Sequence, residues 1–76
     1  MKSVKISLNS IDKVKSFVNT ITKYDYDFDL VSGRYVIDAK SIMGIFSLDL
    51  SKPIDLNIQA EGDADEVLNV LKPYII

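Results

Sequence analysis

Asp27, Asp29, Asp38 and Asp55 each alternate with apolar neighbours, so strands would carry them on one face together with Lys5 and Asn57. Carboxylates gathered in this way suggest a calcium site. Carboxylates spread over flat strands, however, do not converge on one ion as a loop does, so the expectation is a solvated sheet face and no metal. Ser10, Asp12 and Lys13 form a second group. A hydroxyl or a carboxylate can hold a covalent phosphate. Aspartyl phosphate chemistry needs a magnesium site and a lysine; Lys13 is adjacent, but no second carboxylate accompanies Asp12 on its loop. Helix capping by Ser10 and a wet helix face for Asp12 explain both residues. The chain contains no histidine and no cysteine. Catalysis of the Ser-His-Asp, Cys-His or His-metal type is therefore excluded, as are disulfides and zinc–thiolate sites. No cofactor is implied, and the reading is not an enzyme.

The elements that position these groups follow from periodicity. Val4, Ile6 and Leu8 alternate with Ser3, Lys5 and Ser7, predicting a first strand with one buried face. Asn9-Ser10 offers a helix N-cap, and Ile11, Val14, Phe17, Val18 and Ile21 then make one apolar stripe, ending near Lys23-Tyr24. Tyr26, Phe28 and Leu30 alternate with aspartates as a second strand, Ser32-Gly33 turns, and Tyr35, Ile37 and Ala39 share one side of a third. Ser41 to Leu48 follows with Ser41 as cap, which favours a short helix. Ile54, Leu56, Ile58 and Ala60 give the clearest strand. Gly62-Asp63 opens a last helix, with Asp63 as N-cap and Glu66 at capping-box spacing; its stripe is Ala64, Val67, Leu68, Leu71 and Ile75, cut short by Pro73.

The order is β-α-β-β-α-β-α, an α+β arrangement in which helices cover one face of an antiparallel sheet and the other face stays wet. The expected core is Val4, Ile6, Val14, Phe17, Ile21, Phe28, Leu30, Ile37, Leu56, Ile58, Val67, Leu68 and Leu71. Seventy-six residues allow a single domain, 1–76. Hydrophobic residues at 47% and charged residues at 26% are those of a folded chain. A net charge of −2 leaves no basic surplus to neutralise phosphates, which argues against nucleic acid. No apolar run approaches the ~20 residues of a membrane span, and no targeting segment is visible. The expectation is a cytoplasmic protein.

The segment Lys40-Ser41-Ile42-Met43-Gly44-Ile45-Phe46-Ser47-Leu48 resembles the K-S-I-M-G-h-h-S-L run, h being apolar, of the HPr family, the phosphocarriers of the bacterial sugar phosphotransferase system. Lys23-Tyr24-Asp25 is similar to a K-Y-D at the end of that family's first helix. Ala60-Glu61-Gly62 and the acids after it resemble the approach to its last helix. The resemblance covers nearly the whole chain. It implies an open-faced β-sandwich, a four-stranded antiparallel sheet under three helices, with the first strand beside the fourth and the second between the fourth and the third.

The same comparison exposes a departure. The family's loop before the first helix reads like G-h-H-A-R-P-A; its histidine accepts phosphate and its arginine stabilises the phosphorylated form. The corresponding stretch here, Leu8-Asn9-Ser10-Ile11-Asp12-Lys13-Val14, is shorter and has no His, Arg or Pro. Arg34, the only arginine, lies in the hairpin and does not replace it. The resemblance thus implies a member that cannot be a phosphohistidine carrier. It also implies that Ser41 is a site of regulatory phosphorylation by a serine kinase. Ile42, Met43 and Phe46 would form an apolar patch on which proteins of the phosphotransferase or carbon-regulation system dock. Two alternatives stay open: a carrier that uses Asp12 or Ser10, and a passive interaction module in which Ser41 is only a cap and Phe46 belongs to the core.

Overall fold

The computed structural model describes residues 2–60 and 64–76. Seven elements follow in the expected order: β1 (Lys2–Ile6), α1 (Ile11–Ile21), β2 (Asp27–Ser32), β3 (Tyr35–Asp38), α2 (Ile42–Phe46), β4 (Ile54–Gln59) and α3 (Asp65–Val70). The four strands form one antiparallel sheet in the order β1-β4-β2-β3. This is the open-faced arrangement that the resemblance implies. Period-two patterning fixes the register: Val4 faces Leu56 across β1 and β4, and Phe28 faces Ile58 across β2 and β4. One face of the sheet gives Ile6, Phe28, Leu30, Leu56 and Ile58 to a core shared with Val14, Phe17, Ile21, Ile45, Val67 and Leu71 of the helices. Lys5, Asp27, Asp29, Asp38, Asp55 and Asn57 lie on the other face, where Lys5 pairs with Asp55 at 3.1 Å. Within the hairpin, Gly33 has φ 60°, the one positive φ among the described residues; the turn needs it there because a Cβ is disfavoured in that region.

Several elements depart from the periodic reading. β1 stops at Ile6, and Leu8 is buried beyond the strand rather than within it. Ile11 begins α1 but is 62% exposed, while the buried residues of that helix are Val14, Phe17 and Ile21. Tyr35 is 69% exposed on the edge strand β3, which has a sheet neighbour on one side only. Val4, Ile37 and Leu68 are only half-buried and pack against the rim of the core. The core instead gains Leu8, Ala39, Ile45, Leu48, Ile54, Ala60, Ala64 and Tyr74.

At the end of the chain, α3 stops at Val70, ahead of Pro73, and a turn leads to a bridge between Ile75 and Ile6. The Ser7 N–H donates to the Tyr74 carbonyl and the Ile76 N–H to the Lys5 carbonyl. This short outer pairing was not expected from the sequence. The expected cap Asp63 lies outside the described residues; α3 begins at Asp65, with Ala64 at the cap position and no side-chain cap bond. No helix among the described residues is long and apolar enough to cross a membrane.

Candidate functional site

Ser41 occupies the junction between β3 and α2 with extended backbone, φ −93° and ψ 100°, and its Oγ accepts from the Gly44 N–H at 3.3 Å. The Ile45 N–H, four residues on, already bonds the Ser41 carbonyl. The helix is therefore capped by its own serine, and the residue is solvent-exposed. Gly44 keeps the arrangement open: a Cβ there would lie 3.3 Å from the Ser41 Oγ and 3.4 Å from the Ile37 Cδ1.

Met43 is 77% exposed and Phe46 40% exposed. Three residues apart on a helix, they share a face. Ile42 is half-buried and packs on the core, while Ile45 is fully buried and anchors α2 to it. Anchor and patch thus divide between alternate faces of a five-residue helix.

Lys40 holds this helix in place, a role that sequence reasoning missed. Its Nζ donates to the Tyr24 carbonyl at 2.7 Å, just past the end of α1, and sits 5.6 Å from the Phe28 ring centroid. One cation therefore satisfies an orphan carbonyl and contacts an aromatic ring. The signal available in sequence was only a lysine beside the serine. Next to it, the Lys40 N–H bonds the Asp38 carboxylate at 2.9 Å, and the Ser41 N–H bonds the Asp38 carbonyl.

Ser10 and Asp12 sit together at the start of α1. Ser10 is extended and its Oγ accepts from the Lys13 N–H at 3.1 Å. Asp12 is exposed in the first turn, where the positive end of the helix favours a carboxylate. Among the described residues no group of three or more Asp or Glu side chains is placed to hold a metal ion. Asp49 is exposed, and its carboxyl is held below the usual aspartate range by the Ser51 hydroxyl, then by the Ser51 N–H and by Lys52. It accepts from that hydroxyl at 2.6 Å and tightens the loop after α2.

The comparisons fit this geometry. A family profile described as the PTS HPr component phosphorylation site matches residues 13–75. The match begins at Lys13, within the Leu8–Val14 stretch that stands where the family's histidine motif is expected. Among solved structures, HPr-C-His from Thermoanaerobacter tengcongensis is 30% identical, with a TM-score of 0.76 over 96% of this chain and 89% of its own. A phosphocarrier protein HPr from Bacillus anthracis is 28% identical, with a TM-score of 0.71 over 99% of this chain and 94% of its own. A histidine-containing phosphocarrier protein of mycoplasma shares the fold at 17% identity and a TM-score of 0.70, over 95% of this chain and 86% of its own. With the order β1-β4-β2-β3, the Ser41-capped α2 and a profile match over most of its length, the chain belongs to the HPr family, the phosphocarriers of the PTS.

Proposed function

We propose that this chain is a regulatory or interaction domain of the phosphotransferase system that does not carry phosphohistidine. It would act in the cytoplasm and without catalytic chemistry of its own. The chain has no histidine to attack phosphoenolpyruvate-derived phosphate, and no other side chain offers a comparable nucleophile near neutral pH. The observation that carries the reading is the exposed pair Met43 and Phe46 directly after the accessible Ser41. Apolar side chains kept wet together on a small domain mark a contact surface, and methionine adapts to more than one partner. Ile42 supports that patch from below.

Phosphorylation of Ser41 by a serine kinase would add about two negative charges beside a docking face. The first amides of α2 have no acceptor within the helix, so a phosphate there has N–H donors to meet. A charged group next to Met43 would then change which proteins dock. The alternative carrier is weaker: no other acidic residue precedes Asp25, so Asp12 in the first turn of α1 has no neighbouring carboxylate in sequence.

The test is intact mass after two incubations, one with the phosphotransfer components and phosphoenolpyruvate, one with the serine kinase and ATP. The proposal expects no gain in the first and one phosphate, lost in Ser41→Ala, in the second. A stoichiometric gain in the first that disappears in Asp12→Asn or Ser10→Ala would establish a carrier instead. No gain in either would leave a passive docking module.

A further inference from the structure

β1 is an edge strand whose outer side is only half used. Lys5 and Ser7 turn backbone groups outward, where the Lys5 carbonyl and the Ser7 N–H are bonded by residues 74–76. Strand geometry repeats every second residue, so Ser3 presents its N–H and carbonyl to the same edge. No described residue bonds them. Beside this open stretch runs a groove under α3. Its floor is Val4, Leu68 and Ile75, all half-buried, and its rim carries Asp65, Glu66 and Lys72.

We propose that this groove binds an extended segment of a partner protein, which adds to β1 as an outer strand in line with residues 74–76. The segment runs antiparallel to β1, lays an apolar side chain on Val4, Leu68 and Ile75, and places a Lys or Arg toward Glu66. The free edge groups at Ser3 call for an extended chain rather than a helix. Glu66 is exposed at the first turn of α3, so the rim favours a basic residue at that end. Since Ile58, near the end of β4, faces Lys2, that end lies toward the beginning of β1, which is the C-terminal end of the added strand. Occupation of this edge by a second copy of β1 is the competing outcome that the test must separate. The surface is separate from the Met43–Phe46 patch, and the inference does not rest on the function proposed for that patch.

Amide NMR of the full chain with the peptide acetyl-Thr-Val-Ser-Val-Thr-Lys-amide tests it. Binding is expected to slow hydrogen exchange at the Ser3 amide and to shift Val4, Leu68 and Ile75. Replacing the peptide's Lys by Glu is expected to weaken binding about threefold, the scale of an exposed ion pair, and Glu66→Lys is expected to reverse that preference. Shifts confined to Met43 and Phe46 would overturn the proposal, as would equal binding of a peptide with its backbone nitrogens methylated. Protection of Ser3 that grows with protein concentration and needs no peptide would also overturn it, showing that a second copy takes the edge.

Discussion

Replacing Lys40 by Met keeps most of the side-chain stem and removes the charge. Two contacts disappear: the 2.7 Å bond to the Tyr24 carbonyl and the approach to the Phe28 ring at 5.6 Å. A hydrogen bond from a charged donor contributes about 1.5–3 kcal/mol, and a cation over an aromatic ring about 0.5–1 kcal/mol in a partly wet setting. Lys40 is half-buried, so the retained stem and residual hydration reduce the sum to about 2 kcal/mol. In a domain of this size that lowers Tm by roughly 10–15 °C. Urea and thermal melts followed by circular dichroism would read the loss directly. The contact also ties the end of α1 to the start of α2, so the amide resonances of Ser41, Met43 and Gly44 should move more than those of β1. A loss below about 0.5 kcal/mol, or resonance shifts restricted to Tyr24, would refute the claim that Lys40 positions the site.

Ser41→Ala should cost about 0.5–1 kcal/mol, the lower part of the capping range, because the cap bond is long at 3.3 Å. In a Gly44→Ala background that cost should shrink, since the new Cβ crowds the Ser41 Oγ; a double-mutant cycle by urea melts would show additivity if the crowding is absent. Tyr74→Phe should lower stability by about 1 kcal/mol through loss of its 2.5 Å contact with Ser16, and Ser16→Ala should then add little. The Asp49 carboxyl should titrate below the ordinary aspartate range by NMR, and Ser51→Ala should raise its midpoint. Because the folded value is depressed, this group favours folding above the unfolded pKa and stops doing so as pH falls through the folded one; an unchanged midpoint in Ser51→Ala would contradict that cause.

The strands and their faces were legible because β4 alternates strictly and β2 does so from Asp27 to Leu30, each with one buried side. The limits of the helices were less so. Ile11 continues the apolar spacing of α1, yet only three-dimensional position tells that its side chain stays exposed while Val14, three residues on, is buried. The short α2 was readable from Ser41, a good cap directly after a strand, even though Gly44 interrupts its apolar run. What depends on contacts far apart in sequence was not readable. The Lys40–Tyr24 bond, the Ser16–Tyr74 contact and the pairing of residues 74–76 on β1 join positions that no periodicity connects. Exposure at Met43 and Phe46 has the same character: helical spacing says that they share a face, but only the burial of Ile45 says which face that is.

The departure from the family's carrier motif costs this fold little, and the contacts explain why. The stretch from Ser7 to Ser10 contributes Leu8 to the core and one cap bond from Ser10. The Ser7 N–H is held by the C-terminal pairing. None of these contacts needs a histidine, an arginine or a proline. Helix α2, by contrast, is fixed by Ile45 in the core, by Lys40 across to α1 and by Ser41 at its own start. Carrier chemistry and the α2 surface therefore draw on different residues of the same scaffold. A chain can lose the first without losing the second, since a change in the loop leaves the packing beneath α2 untouched. That separation makes a non-carrying relative physically reasonable: the fold keeps the exposed Met43 and Phe46 on α2 while the chain holds no histidine for the loop to present.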